Sequence, residues 1–450
     1  MGLGQTVAIT QPSPAPTGPF SISPALPAGL SISPATGVIY GIPTALSPST
    51  TYTVNGTSSS NTIQLQVLTA YVVNDLGDTD DATPGDGICA TATGTCTLRA
   101  AIDEANADGV ANINIVIPSG TITLGSIINI SSSVSLYGSS SLTSIIDGNS
   151  ASRIFGVQKI NVNISMQYLK LQHGYTTDNV GGGGAAIYNN FNNGDVYVGA
   201  CMNFSQNSAA GTAGGGAISW WGPTSSTFTC TECDFENNTV ASDRGGAVTF
   251  AVKTIDIEKS AFGNNGGGIL AGAIWESLST TVTIINNSFY GNKGGEGGAM
   301  YLDTAGATYT ITNNTFANNV GALSGTSQGA GGIQATSGGV VAHMTNNIFY
   351  NNTGFNGNCD FTAGSSIADG GGNLESPGTT CGFALSSDLS VAPIFGPWQN
   401  NGGFSPTLAE LLGSPTIDTG VLTSCPAVDQ RNVARKGDGK CDIGAFELPP

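Results

Sequence analysis

Acidic and basic side chains are scarce enough in this chain to be considered one by one. Charged residues make up 9% of it. In the central part they fall as Asp234 with Glu236, Asp243 with Arg244, Asp256 and Glu258 between Lys253 and Lys259, then Glu276, Glu296 and Asp303. Hydrolysis of a glycosidic bond needs two or three carboxylates facing one cleft. Elimination from an acidic sugar needs an Arg or Lys base beside a cation held by several carboxylates. These residues do not converge on one repeat position, so no catalytic residue is assigned. His173 and His343 lie too many repeat units apart to cooperate.

Three other sets could bind something. Asp75, Asp78, Asp80, Asp81 and Asp86 precede Cys89. Hard carboxylate oxygens suit calcium, and Asp78, Asp80, Asp81 and Asp86 are its candidate ligands, although the spacing is not that of an EF-hand and no glutamate closes it. A solvated acidic turn is the other reading, and no further cofactor is expected. Nine cysteines are present, of which Cys89/Cys96, Cys359/Cys381 and Cys425/Cys441 each close a short loop. Such pairs suggest disulfides and an oxidising, extracytoplasmic compartment. One of Cys201, Cys230 and Cys233 is left over, and a lone Cys-x-x-Cys without a neighbouring histidine is a poor zinc site. The third set is aromatic: Tyr188, Trp275 and Tyr301 each stand two residues after a recurring alanine, with Trp220 and Trp221 adjoining.

The frame that must position these residues is a repeat. Phe235, Phe262, Phe289 and Phe316 follow one another at intervals of 27 residues, and the flanking Phe204 and Phe349 are set off by 31 and 33. Ala186-Ile187, Ala217-Ile218, Ala247-Val248, Ala273-Ile274 and Ala299-Met300 keep step, each after two or more glycines. A unit of this length suits one turn of a parallel β-helix, in which three short strands make a rung and rungs stack about 4.8 Å apart. The phenylalanines then form an internal ladder. Asn286-Asn287, Asn313-Asn314 and Asn346-Asn347 fall where corners are expected, and asparagine tolerates left-handed backbone and pairs with its copy in the next rung. The 65 glycines, including the run 181–184, exclude a helical repeat, since each would cost about 1 kcal/mol in a helix interior. If Ile187 and its equivalents point inward, alternation sends the Tyr188, Trp275 and Tyr301 column outward, either open to ligands or covered by loops.

Thirty acids against 12 bases give a net charge of −18. Nucleic acid is therefore excluded as a partner, because phosphate neutralisation needs clustered Lys and Arg. The longest apolar runs are of strand length, so no transmembrane segment is expected. No signal peptide is legible at Met1, which makes a mature form or a fragment the expectation.

Three stretches carry family resemblances. Leu26-Pro-Ala-Gly-Leu-Ser-Ile, Thr36-Gly-Val-Ile-Tyr-Gly-Ile-Pro-Thr44 and Thr51-Tyr-Thr-Val54 resemble the immunoglobulin-like module of bacterial surface proteins, with a first strand expected to be missing. Cys96-Thr-Leu-Arg-Ala-Ala-Ile-Asp-Glu-Ala-Asn106 resembles the Cys-Ser-Leu-Arg-Glu-Ala signature at the start of β-helix exoproteins, where Leu98, Ala101, Ile102 and Ala105 share one face of a short helix. Gly413-Ser-Pro-Thr-Ile-Asp418, Asp429-Gln-Arg431 and Cys441-Asp-Ile-Gly-Ala-Phe-Glu447 resemble the choice-of-anchor Q domain that ends such proteins. The expected organisation is all-β: an Ig-like sandwich over 1–69, a helical N-cap over 70–110, a β-helix over 111–357, right-handed by resemblance, and a disulfide-stapled C-terminal cap over 358–450. The expected role is that of an extracellular or cell-surface structural or adhesive protein. Its partners would be other copies of itself, possible in a head-to-tail filament, or cell-surface and matrix glycans. A β-helix polysaccharide lyase or glycoside hydrolase is the alternative.

Overall fold

A computed structural model describes the chain except residues 1–6, 10–17, 46, 58–59, 68–69, 109–111, 179–181, 191–193, 212–213, 243, 322–328, 436–438 and 450. Asp243 and Gly181, singled out above, therefore lie outside the described residues. The chain divides into two compact units, residues 1–118 with 134–137, and residues 119–133 with 138–450.

The first unit begins as a sandwich of two antiparallel three-stranded sheets. One holds Val7–Ile9, Ile39–Gly41 and Leu30–Ile32; the other holds Ser21–Ser23, Ser47–Asn55 and Ser60–Val67. Ile39, Tyr52 and Leu65 form the core between them. The first strand is present after all, since Val7–Ile9 pairs with Ile39–Gly41. A loop then leads to helix α1, Leu98–Asp108. Thr97 caps it by accepting the Ala100 N–H at 3.0 Å. Leu98, Ala101, Ile102 and Ala105 are buried, and α1 packs against Ile113–Ile117, which pairs in parallel with Ala70–Val72.

In the second unit the repeat becomes a parallel β-helix of about nine turns with three sheet faces. On the phenylalanine face, Phe204, Phe235, Phe262, Phe289, Phe316 and Phe349 stack with ring centroids 4.7–4.8 Å apart and within 7° of parallel. On the alanine face, nine strands stack among the described residues, from Ile128–Ile130 to Cys359–Phe361. The third, here called the threonine face, aligns Thr254 with Thr281 and Thr308. Glycine opens each turn into the alanine face because nothing larger fits: a Cβ on Gly272 would sit 1.9 Å from the Gly298 carbonyl oxygen.

Asparagine builds two of the corners. At each, the first residue of a pair takes left-handed backbone: Asn286, Asn313 and Asn346 before the phenylalanine strand (φ 52° to 57°), and Asn237, Asn264, Asn318 and Asn351 after it (φ 52° to 57°). The second residue is buried and bonds along the stack. Asn265, for example, donates its backbone N–H and Nδ2 to Asn292 Oδ1, both at 3.0 Å, and Nδ2 also reaches the Phe235 carbonyl at 2.9 Å. One ladder runs Asn207, Asn238, Asn265, Asn292, Asn319, Asn352. The other runs Asn287, Asn314, Asn347, Asn373. A corner cannot pair its backbone groups as a strand does, and an unpaired buried amide costs about 1–3 kcal/mol, so the side-chain amide completes the set.

The C-terminal region is more than an end cap. Phe383 tilts against Phe349, Leu389 bridges to Leu374, and a disulfide joins Cys359 to Cys381 over the last rung. The chain then runs back along the side of the coil as a strap. Trp398 stacks on Tyr290 at 5.0 Å. The left-handed corner asparagines explain the path: their side chains face outward, and the strap's backbone satisfies them. Asn346 bonds Val421, Asn313 bonds Asp442 and Gly444, and Asn286 bonds Val428 at 2.9 Å. Arg435, 3% exposed in its side chain, ties Glu447 at 3.0 Å to Asn286 Oδ1 at 2.8 Å.

Candidate functional site

The strap leaves a groove along the threonine face. Four successive strands supply its floor: 254–258, Thr281–Ile285, Thr308–Thr312 and Val341–Thr345. Ile255, Ile257, Val282, Ile284, Tyr309, Ile311, Ala342 and Met344 are buried, so the alternate residues point outward. Glu258, Ile285, Thr312 and Thr345 form one outward column, and Asp256, Thr283, Thr310 and His343 the other. Residues 423–428 of the strap make the wall, and the Cys425–Cys441 disulfide closes their loop. The cavity measures about 640 Å³ and is lined by Glu258, Lys259, Ile285, Asn286, Thr310, Thr312, His343 and Thr345 opposite Pro426, Ala427 and Val428.

Its charged end is asymmetric. Burial raises the Glu258 carboxyl, and Asp256 raises it further against the opposing pull of Lys259; burial alone raises Asp256. Lys259 is engaged elsewhere, 3.4 Å from Glu232 and 2.8 Å from Asn432. Burial would raise Glu232, but hydrogen bonds from Asn432 and Cys201 together with Lys259 bring it below the usual range. The groove thus offers hydroxyls, one imidazole and an aliphatic strip. Among the described residues no acid faces a base or a second acid across it: His343 stands three rungs from Asp256 in the same column.

The other sequence candidates are placed as follows. Trp220 is fully buried and points into the core against Tyr197, because it lies two residues after the inward Ile218. Trp275 and Tyr301 do point outward, yet they are only 4% and 7% exposed. Ala271 and Leu270 pack over them, and the Arg244 guanidinium lies 4.4 Å from the Trp275 ring and 5.1 Å from that of Trp221. Arg153 covers Tyr188 in the same way, at 4.5 Å. The aromatic column is therefore a satellite core under loops, the covered of the two readings that its outward register left open. Which of the two holds was not legible, because the covering loops carry no repeat.

The aspartate loop also does other work. Asp78 takes both Arg99 nitrogens at 2.9 and 3.0 Å, Asp81 accepts the Thr83 and Ala90 N–H groups at 2.8 Å, and Asp86 accepts that of Ile88 at 2.9 Å. Asp80 is largely exposed, 3.7 Å from Arg99. These four do not converge on one point, which corrects the calcium reading, and among the described residues no group of three or more His, Cys, Asp or Glu is placed to hold a metal.

Disulfides join Cys89 to Cys96 and Cys230 to Cys233, leaving Cys201 as the free thiol among the described residues. Glu276 is buried and accepts the Tyr309 hydroxyl at 2.6 Å and Thr304 Oγ1 at 2.9 Å. Asp303 accepts Ser337 Oγ. Burial, then Asp303 and Asp360, raises Glu296, and Gln334 Nε2 approaches it at 3.4 Å. His173 is held between Asp147 at 3.0 Å and Gln206 at 2.9 Å.

Fold and groove together define a parallel β-helix protein preceded by an Ig-like domain. Residues 3–73 match the family described as Putative Ig domain. No curated protein sequence matches the chain. Among solved structures, the catalytic unit of a thermostable GH87 alpha-1,3-glucanase from Streptomyces thermodiastaticus is similar at 13% identity and a TM-score of 0.23, over 75% of each chain. A likeness of that degree transfers neither activity nor substrate. In the described residues no helix is long and apolar enough to cross a membrane.

Proposed function

We propose that this chain is an extracellular structural or adhesive surface protein that holds a glycan in the groove between the threonine face and the strap. The observation that carries the reading is the groove's lining: threonine hydroxyls from the 308–312 and 341–345 strands, with Ile285 facing Pro426, Ala427 and Val428, and, among the described residues, no acid–base pair facing across it. Hydroxyl arrays hydrogen-bond sugar hydroxyls, and aliphatic side chains cover their C–H faces. Four disulfides among the described residues suit an oxidising compartment. The resemblances of residues 96–106 to the Cys-Ser-Leu-Arg-Glu-Ala segment and of residues 413–447 to the choice-of-anchor Q domain support a surface location. Head-to-tail assembly through the N-terminal module belongs to the same reading. Ser60–Val67, whose described partner is Ser47–Asn55 on one side, is the edge a second copy would extend. The test is a glycan array probed with the full chain, with negative-stain microscopy of the same sample. Retention of neutral oligosaccharides supports the reading, and an array without signal together with no adhesion to cells or matrix refutes it.

One observation favours a second reading, glycoside hydrolysis. Asp256 and Glu258 point outward from one strand two residues apart, and hydrolysis of a glycosidic bond needs two carboxylates at one site. Release of reducing ends from a polysaccharide panel, abolished by Asp256→Asn, would establish it in place of the first.

A further inference from the structure

Away from the groove, two adjacent rungs of the phenylalanine face bring four oxygen-bearing side chains together. Asn203 and Ser205 stand in parallel register with Asp234 and Glu236. Phe204 and Phe235, between them, point into the stack, so all four point outward, in a square of about 4.8 by 6.6 Å. Buried polar atoms are nearly always paired, and those that are not call for a partner of another kind. Here Asn203 Oδ1, Ser205 Oγ and Asp234 Oδ1 are all shut off from solvent and have no hydrogen-bond partner, with Asp234 and Ser205 each 7% exposed. The amide cannot turn to relieve this, because Asn203 Nδ2 donates to Asp234 Oδ2 at 2.8 Å.

We infer that Asn203, Ser205, Asp234 and Glu236 form a calcium-binding site. Two carboxylates, an amide oxygen and a hydroxyl are hard oxygen ligands, the set calcium takes, and water can complete its coordination. Nitrogen- or sulfur-seeking metals find no ligand here. The nearest base in the same column, Lys170, lies beyond Asn203, two rungs from Asp234, so the acidic pair lacks a cation of its own within the square.

The test is calorimetric titration of calcium chloride into the chelator-treated full chain at pH 8, with thermal unfolding measured alongside. The expected result is one site with a dissociation constant of about 0.1–1 mM, the range of extracellular calcium modules, and an unfolding temperature raised by calcium. The isosteric Asp234→Asn/Glu236→Gln variant should unfold cooperatively in chelator yet bind at least tenfold more weakly. Ser205→Ala, which keeps both carboxylates, should weaken binding less. Absence of calcium heat and of any thermal shift in the wild type would overturn the site, leaving water as the partner of these atoms. Binding unchanged in the double variant would overturn it as well and move calcium elsewhere.

Discussion

Asp234 illustrates what a carboxylate costs on the flank of this stack. Its folded pKa, about 7, lies above the ordinary value of 3.8. Below pH 4 the group is protonated in both states and costs nothing. Between about pH 4 and 7 the unfolded chain releases the proton and the folded chain keeps it, so stability falls with rising pH and levels off above 7. In chelator, Asp234→Asn is therefore expected to stabilise the chain by about 2–4 kcal/mol at pH 8 and hardly at all at pH 4, read from denaturant midpoints at the two pH values. Cys201 differs in kind. Burial and the Glu232 carboxylate push its thiol up to about 12, so maleimide should label it far more slowly in the native chain than after unfolding. It also sits in left-handed backbone at φ 52°, in the column that later rungs fill with asparagine. Cys201→Asn should accordingly raise stability by about 0.5–1 kcal/mol, as a thermal scan would show.

At the scale of the elements, the ladders set the coil and the strap sets the site. Asn292 accepts two hydrogen bonds from Asn265 and donates its own to Asn319 and the Phe262 carbonyl. Asn292→Ala leaves those groups buried and unpaired, and is expected to cost about 3 kcal/mol or more by chemical denaturation, whereas Asn318→Gly, at a left-handed corner, should lie within about 1 kcal/mol of wild type. Arg435→Ala removes the guanidinium that donates to both Glu447 and Asn286 Oδ1. Hydrogen exchange should then rise across residues 421–449 while the phenylalanine strands stay protected; uniform exchange in both would contradict the strap as a separate latch. The phenylalanine ladder and the asparagine corner before it were legible because Phe235, Asn286-Asn287 and their copies recur in register. The strap was not, because its residues lie 75 to 200 positions from those they bond and carry no period of their own. Alternation alone would have turned Trp220 inward, as it does Ile218, whereas Arg244 over Trp275 could be seen only once the loops were placed.

For the whole molecule, the proposed role rests on the match between lining and ligand. A chain of net charge −18 repels acidic polymers, so neutral oligosaccharides should bind better than uronic acid polymers, and the gap should narrow with salt. The measurement that tests the proposed role most directly is titration of a neutral oligosaccharide, chosen from the array, into the wild type and into Thr310→Trp. That substitution fills the groove from an outward floor position and leaves the buried ladders untouched. The account predicts saturable binding by the wild type, at least tenfold weaker in the variant, with no sugar released from the ligand. Equal binding by both proteins, or conversion of the oligosaccharide to shorter products, would contradict it.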